Sequence, residues 1–282
     1  MKLARFTRDG KTLIGKIVGE QIVDLSALTG GEASMRRFLA DFPARKAEAE
    51  AIKEPSYPLS SVHLEAPIND PQKFLGIGMN YQLHADEAAR AGIPIPKTQL
   101  WFNKQVSCIA GPTDKVVLPS VSDQLDYEGE LAYVIGTRCR KVKREDALSM
   151  IAGYLICNDY SVRDWQHRSP TYTLGKSFDT HGVVGPWITT ADEAGNAQSL
   201  RLRLFVNGKE KQCSVTDDLI YKIEDQIVHL STVMTLEPGD IITTGTPSGV
   251  AAVDQSWLKA GDVVRVEIDG LGAIENTIIA DA

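Results

Sequence analysis

Short apolar runs separated by turn residues dominate most of the chain, and this pattern is typical of β-strands. Residues 1–25 alternate such runs with a DG pair and a GE pair, which predicts a small antiparallel meander. Residues 34–54, SMRRFLADFPARKAEAEAIKE, instead predict a helix that Pro43 interrupts. The beginning of the chain therefore combines strands with helix, as an α+β unit does.

The stretch from residue 54 to residue 70 is rich in Pro and Ser, unlike the segments on either side of it. This composition favours a linker or a domain boundary. We therefore expect a small N-terminal α+β domain at residues 1–65 and a main domain at residues 66–282.

The main domain is mostly strand-like, with turn signals between its apolar runs. These runs are KFLGIGM, VVLP, EGELAYVIG, AGYLICNDY, WITT, LRLRLFVNG, DIITTGTP and DVVRVEIDG. Two segments, EDALSMIA and YKIEDQIVHLSTVM, show helical periodicity. Because the strands do not alternate regularly with helices, we expect a mixed α/β, β-dominated fold, a rolled β-sandwich rather than a Rossmann sheet.

Composition and charge narrow the class of protein. The 282 residues are 43% apolar and 24% charged, with a formal net charge of −7, as in an ordinary globular protein. The densest basic run, RCRKVKRED at residues 138–146, is short and ends in acids, so we expect no nucleic-acid surface. No apolar stretch is long enough to cross a bilayer, and the first ten residues lack a secretory signal. Four scattered cysteines without CxxC spacing indicate reduced thiols, so we expect a cytoplasmic protein without a membrane partner.

The run LDYEGELAYVIG places two glutamates, Glu128 and Glu130, on one face of a predicted strand, because residues two apart point the same way. A third acid, Asp159, ends another apolar run in CNDYSVRDWQ. Three carboxylates without a Cys or His pattern suit a hard cation, Mg²⁺, Mn²⁺ or Ca²⁺, which would remove the repulsion between the glutamates. The alternative from spacing alone is a solvated acidic strand end.

A second candidate lies in GMNYQLHADEAARAGIPIPK. If LHADEAARA is helical, His84 and Glu87 are neighbours on one face, since residues three apart meet there. A carboxylate beside an imidazole fixes its tautomer, which a general base acting on water requires. Gly92, Pro94 and Pro96 follow at once, so the helix is short and suits a movable lid. The alternative is an incidental surface pair.

Two irregular stretches complete the candidates. Lys176 follows a glycine in TLGKSFDTHGVVGPW, where it could pair with an anionic substrate or with the acids. Residues 243–250, TTGTPSGV, offer free backbone N–H groups at a strand end, a natural cradle for a carboxylate. Each stretch could instead be a plain turn.

Taken together and in this order, these stretches resemble the fumarylacetoacetate hydrolase family over roughly residues 67–280. The resemblance rests on five linked motifs: GIGMNYQLHADE, LDYEGELAYVIG, CNDYSVRDWQ, GKSFDTHGVVGPW and LEPGDIITTGTPSGV. It implies a mixed β-sandwich roll that forms a homodimer, with Mg²⁺ or Mn²⁺ held by carboxylates. By motif, it implies the metal ligands Glu128, Glu130 and Asp159, the lid dyad His84 and Glu87, the active-site Lys176, and the substrate contacts Gln166 and Thr246.

The resemblance makes residues 66–282 the catalytic domain and implies a small keto acid as substrate. The leading hypothesis is metal-dependent hydrolytic carbon–carbon cleavage of a 2,4-diketo acid (an acylpyruvate), with pyruvate leaving as its enolate. Oxaloacetate decarboxylation and isomerisation of a 2-hydroxy-dienedioate are alternatives on the same site, and the H-x-x-E pair favours hydrolysis because only hydrolysis needs an attacking water. A binding module with a structural metal is the non-enzymatic alternative. The sequence departs from the family pattern at one place: RSPTYTLGKSF replaces the GQW that often precedes the lysine motif. This change alters the lining near Lys176 and therefore affects the identity of the substrate.

Overall fold

The structure is a computed structural model that describes residues 1–90, 92 and 94–281. The strands of these residues are β1 (Lys2–Arg8), β2 (Lys11–Val18), β3 (Gln21–Asp24), β4 (Ser56–Pro58), β5 (His63–Glu65), β6 (Phe74–Gly78), β7 (Leu100–Lys104), β8 (Ile109–Ala110), β9 (Val116–Leu118), β10 (Leu125–Asp126), β11 (Gly129–Ile135), β12 (Ile151–Asp159), β13 (Ser161–Val162), β14 (Gly182–Thr190), β15 (Arg201–Val206), β16 (Lys209–Val215), β17 (Ile241–Thr243), β18 (Val263–Ile268) and β19 (Gly272–Ala280).

The α-helices are α1 (Met35–Ala40), α2 (Phe42–Ala51), α3 (Gln82–Arg90), α4 (Arg163–Gln166), α5 (Ala191–Ala194) and α6 (Ile223–Val233). Short 3₁₀ helices lie at Ser26–Thr29, Leu59–Ser61, Val106–Cys108, Arg144–Met150, Ala197–Ser199 and Thr216–Asp218. In the part of the chain that the structure describes, no helix is both long and apolar enough to span a membrane.

The strands form two main sheets. The larger has the order β4-β3-β2-β1-β14-β12-β11-β17-β6-β7, with β5 on β1 and β8 on β14. The smaller has the order β16-β15-β18-β19-β9, and β10 pairs with β13 separately. Most pairs are antiparallel, but β17 runs parallel to β6. This arrangement confirms the prediction of a mixed, β-dominated α/β fold, and its sheets are open.

The N-terminal segment adds its strands directly to the larger sheet. Strand β1 pairs with β14, with Lys2 opposite Thr189, and Leu3 and Phe38 share an apolar cluster with Leu155 of β12. Residues 54–70, expected as a linker, carry β4 and β5, which pair with β3 and β1. The domain boundary at residue 65 stays a prediction.

The main core lies between the two sheets and against α6. Strands β11 and β12 occupy the centre of the larger sheet, and all of their residues are buried. Leu131 and Ile156 from these strands pack in one cluster with Leu204 and Val266 of the smaller sheet and Ile227 of α6. The polar residues Glu130, Asn158 and Asp159 at the ends of β11 and β12 are buried together with their apolar neighbours.

Several local predictions need correction. Residues 145–150 of the segment EDALSMIA form a 3₁₀ helix together with Arg144, and its last two residues, Ile151 and Ala152, already belong to β12. Strands β7, β16 and β19 were not predicted; the charged, mostly accessible residues of β16 give no apolar signal on the edge of its sheet. The predicted helix YKIEDQIVHLSTVM does form, as α6, and the predicted break near Pro43 separates α1 from α2.

Candidate active site

Three acidic side chains meet at one end of the central strands. Glu128 immediately precedes β11, Glu130 is its second residue, and Asp159 ends β12. The backbone N–H of Asp159 donates to the Glu128 carbonyl at 2.8 Å, so the two residues lie opposite each other on paired strands. The carboxylates of Glu128, Glu130 and Asp159 offer oxygens within 4.8 Å of one another, and all three residues are buried. We call them the acid cluster.

Two lysines neutralise part of the acid cluster. Lys176 places Nζ 2.5 Å from Glu128 Oε2 and 2.9 Å from Asp159 Oδ2. Lys104, at the end of β7, places Nζ 2.6 Å from Asp159 Oδ1 and also donates to the carbonyl of Lys176. Both side chains are almost completely buried, so these ion pairs act at low local dielectric. Of the two partners expected for Lys176, an anionic substrate or the acids, the structure shows the acids, whereas the sequence contained no indication of Lys104.

An arginine and a fourth acid extend the network. Arg163 places Nη2 2.6 Å from Glu128 Oε1 and 2.7 Å from Asp126 Oδ2. Asp126 also accepts from the backbone N–H groups of Ala251 and Ala252, at 2.7 and 3.0 Å. Neither Arg163 nor Asp126 was predicted, although the alternation D-x-E-x-E already places Asp126 on the face of Glu128 and Glu130. Asp126 thereby fastens the loop after residue 249 to the site.

The electrostatic balance differs between the two glutamates. Burial alone would raise the pKa of Glu128, but Lys176 and Arg163 outweigh it and lower that pKa to about 2. Burial raises the pKa of Glu130 well above its usual range, and the negative charges of Asp159 and Glu128 add to this rise. Oε2 of Glu130 accepts the Gly245 N–H at 2.7 Å, and no Lys or Arg of the described residues forms an ion pair with it. Lys176 offsets this rise in pKa only in part, so Glu130 is the least compensated member of the acid cluster.

The acid cluster fits a hard divalent cation. Its donor atoms are carboxylate oxygens, which Mg²⁺, Mn²⁺ and Ca²⁺ prefer. Among the residues that the structure describes, it is the group of acids, histidines and cysteines found close enough together to hold a metal ion. A cation at this point would add to the partial compensation that Glu130 receives from Lys176, and it would account for two like charges on one face of a buried strand.

The predicted dyad forms on α3. Nδ1 of His84 lies 3.2 Å from Oε2 of Glu87, as expected for residues three apart on a helix. A proton on Nδ1 that donates to Glu87 leaves Nε2 as the basic nitrogen. At the start of α3, the Leu83 N–H donates to Asp218 at 3.1 Å, which fixes that end of the helix. Of the predicted lid, Ala91 and Ile93 lie outside the described residues.

The two predicted substrate contacts have different hydrogen bonding. The Thr246 hydroxyl donates to the Gly129 carbonyl at 3.0 Å and accepts from the Gln212 amide at 2.9 Å. It therefore already acts both as a hydrogen-bond donor and as an acceptor within the protein. Gln166 accepts from Arg163 at 2.9 Å through its side-chain oxygen. Its amide N–H groups form no hydrogen bond within the described structure, and they are free to donate to a ligand. Gln166 is thus the better placed of the two to bind a substrate oxygen.

All predicted site residues except Asp159 line a single cavity of about 320 Å³, and Asp159 is fully buried beside it. The lining brings together segments that are far apart in sequence, including α3, β7, α4, the loop at Lys176 and the loop after β17. A cavity of this size can enclose a small organic molecule. The arrangement brings the acid cluster, the His84–Glu87 pair and the Gln166 amide together around one cavity.

Comparisons with known proteins find relatives over nearly the whole chain. A family model described as fumarylacetoacetate (FAA) hydrolase C-terminal matches residues 73–279. The chain is 39% identical over 269 residues to the mitochondrial oxaloacetate tautomerase of Xenopus laevis, covering 93% of this chain and 83% of that protein.

Solved structures of similar proteins superpose over the full length. Maleylpyruvate hydrolase from Sphingobium sp. SYK-6 has a TM-score of 0.86 and 36% identity, covering 100% of both chains. Another structure of that hydrolase contains manganese(II) and pyruvate, with a TM-score of 0.85, 35% identity and the same coverage. A 2-hydroxyhepta-2,4-diene-1,7-dioate isomerase from Mycobacterium marinum has a TM-score of 0.81 and 31% identity, covering 100% of this chain and 99% of the isomerase.

Glu130→Gln should separate metal binding from stability. The substitution keeps the side-chain oxygen that accepts from Gly245 but removes the carboxylate crowded by Asp159 and Glu128. We expect the free energy of unfolding of the metal-free protein to rise, measured by urea titration, and Mn²⁺ affinity to fall by about tenfold or more, measured by calorimetry. Exposed Glu210→Gln is the control and should change neither quantity. Unchanged Mn²⁺ affinity in Glu130→Gln would rule out Glu130 as a ligand.

Gly175→Ala should disturb the site through the backbone. A Cβ at residue 175 would overlap the backbone of Gln166, so the Lys176 loop or α4 must move. We expect a loss of about 1–3 kcal/mol in the free energy of unfolding. Leu174→Ala, which alters an exposed neighbour in the same loop, should cost less than about 0.5 kcal/mol. Equal stability of the two variants in thermal or urea unfolding would contradict the close packing of this loop on α4.

Proposed function

The chain belongs to the fumarylacetoacetate hydrolase family of enzymes, and we propose that it hydrolyses a carbon–carbon bond of a 2,4-diketo acid of the acylpyruvate type. One observation carries this proposal: the hydrogen-bonded His84 and Glu87 line the same cavity as Glu128 and Glu130 of the acid cluster. A base oriented by a carboxylate is what activation of water requires, and the acids suit a cation that a keto acid can chelate.

Glu128, Glu130 and Asp159 are the proposed ligands of the cation, Mg²⁺ or Mn²⁺, with Ca²⁺ also compatible with the oxygen donors. Manganese and pyruvate in the structure of the Sphingobium hydrolase support this assignment. When bound, the cation would act as a Lewis acid that stabilises negative charge developing on the keto-acid end of the substrate.

The side chains of the cavity then have distinct roles. His84, held by Glu87 through Nδ1, takes a proton from water with Nε2, and the resulting hydroxide attacks the distal ketone. The carbon–carbon bond breaks as the acyl group becomes a carboxylic acid and pyruvate leaves as its enolate. Lys176, at the acid cluster, helps to stabilise the anionic fragment. Gln166 donates its free amide N–H to a substrate oxygen, and Thr246 shapes the wall beside it.

Keto–enol tautomerisation or double-bond isomerisation is the second candidate. It is favoured by the 39% identity to an oxaloacetate tautomerase and by the similarity to a dienedioate isomerase. These reactions need a proton transfer but no attacking water. Oxaloacetate decarboxylation would use the same site. Product analysis separates all three: an acid plus pyruvate for hydrolysis, CO₂ for decarboxylation, and no fragment for isomerisation.

Metal depletion tests the reaction class directly. Protein treated with EDTA should lose cleavage of acetylpyruvate, and added Mg²⁺ or Mn²⁺ should restore it with one pyruvate released for each acetylpyruvate consumed. Loss of acetylpyruvate is followed by its ultraviolet absorbance, and pyruvate by a coupled assay. Cleavage that survives complete metal removal would contradict the role of the acid cluster, whereas tautomerisation of oxaloacetate without release of CO₂ and without cleavage of acetylpyruvate would favour the second candidate.

His84→Ala should abolish hydrolysis but leave metal binding intact. His84 is the proposed base and is not part of the acid cluster, so kcat should fall by about 10²–10⁴-fold while Mn²⁺ affinity is unchanged. The matched control is His229→Ala, an exposed histidine on α6 outside the site cavity, which should keep wild-type rates. Wild-type turnover in His84→Ala would remove the dyad from the mechanism.

A homodimer and a cytoplasmic location are further proposals that rest on the family resemblance and on the chain's composition. Light scattering coupled to size-exclusion chromatography tests the first. A mass near twice 30.8 kDa supports the dimer, and a mass near 30.8 kDa contradicts it.

A further inference from the structure

Most of the cavity lining outside the acid cluster is apolar. This apolar wall consists of Ile77, Met79, Leu100, Val250 and Val253, together with the prolines of the segment after α3. Tyr172 and His167 also line the cavity and add a phenol and an imidazole, neither of which is a permanent cation.

The cations of the cavity are already committed at its acidic end. Nζ of Lys176 contacts Glu128 and Asp159, and the guanidinium of Arg163 contacts Asp126, Glu128 and Gln166. A cation released from these pairs would still lie at the acid cluster, where the keto-acid end of the substrate would bind. Within the described lining, no Lys or Arg belongs to the apolar wall.

The nearest remaining basic side chains add no permanent positive charge to this wall. Burial, and then the charge of Arg163, lower the pKa of His167 in the cavity lining below its usual value, which disfavours its charged form. Arg168 stacks on Trp165 at 3.8 Å and lies 3.4 Å from a carboxylate oxygen of Asp164. Arg168 does not reach the lining.

We propose that the cavity selects acylpyruvates whose acyl end is neutral and apolar and rejects those that carry a second carboxylate at that end. This inference rests on the proposed function for the orientation of the substrate, with its keto-acid end at the acid cluster. A terminal carboxylate would lose its hydration against the apolar wall without gaining a cation, whereas a methyl group would gain from burial.

A pair of keto acids that differ only at the far end tests this selectivity by binding alone. 2-Oxohexanoate ends in a methyl group, and 2-oxoadipate has a carboxylate at the same carbon. With the Mn²⁺-loaded protein in about 0.15 M salt, which screens the overall negative charge, calorimetry should give an affinity for 2-oxoadipate about tenfold or more below that for 2-oxohexanoate. Equal or tighter binding of 2-oxoadipate would overturn the proposal.

A cation placed on the wall should reduce the preference for 2-oxohexanoate. Val253 lines the cavity and is 59% exposed, so Val253→Lys should fold, and it should raise the affinity for 2-oxoadipate by at least about fivefold. Val233→Lys adds the same charge at an exposed valine outside the cavity and should leave the preference unchanged. An unchanged preference in Val253→Lys, or an equal change in Val233→Lys, would contradict selection by the wall.

The two proposals fail in different ways. The proposed reaction is contradicted if the metal-loaded enzyme does not cleave acetylpyruvate, whatever its binding preference. The proposed selectivity is contradicted if 2-oxoadipate binds as tightly as 2-oxohexanoate, whether or not acetylpyruvate is cleaved. If acetylpyruvate is not cleaved but 2-oxohexanoate is preferred, the selectivity stands and the reaction class must be replaced.

Discussion

Burial of four carboxylates at one end of β10, β11 and β12 is the constraint on which the site depends. Removing a carboxylate from water costs several kcal/mol unless a cation and hydrogen bonds compensate. Here compensation comes from three cations on segments far apart in sequence: Lys104, Arg163 and Lys176. Each ion pair therefore also fixes a segment of chain around the cavity. Three cations face four carboxylates, and the least compensated of the four is Glu130, because burial, Asp159 and Glu128 raise its pKa well above the usual range.

The contact between Lys104 and Asp159 shows how strongly the larger sheet curls. The order β12-β11-β17-β6-β7 separates their strands by four steps, or about 19 Å in a flat sheet at about 4.8 Å per strand. A lysine side chain cannot cross that distance, yet Nζ lies 2.6 Å from the carboxylate. The sheet must bend so that β7 approaches β12, and the pairing of β8 with β14 just beyond β7 follows the same bend. The enclosed cavity is a consequence of this curvature.

The difference between local and non-local features explains which parts of the site could be predicted. Glu128, Glu130 and Asp159 could be found because each marks the end of an apolar run, and His84 and Glu87 because helical spacing pairs them. Asp126 and Arg163 had usable signals, the first in the alternation with the glutamates and the second only four residues after Asp159. Lys104 had none, because its partner is set by sheet curvature, which no local pattern encodes.

The fold shows the same difference between features that local sequence predicts and features that depend on distant contacts. Apolar runs predicted the central strands and α6, whose faces are buried, but they could not predict β16 or the 3₁₀ helix at residues 144–150. Edge strands and short helices depend on neighbours that only the assembled chain supplies. The N-terminal strands are a further case: their local meander could be predicted, whereas their pairing with β14 depends on tertiary contacts.

Charge compensation connects catalysis with selectivity. Lys176 and Arg163 enter the cavity but are required at the acids, so what remains for the rest of the wall is apolar surface. Recognition there depends on burial, at about 0.8 kcal/mol for each methylene removed from water, up to about 3 kcal/mol for a butyl chain. An unpaired carboxylate at the same place would cost about as much or more. The proposed selectivity for a neutral acyl group thus follows from the placement of the cations at the acids.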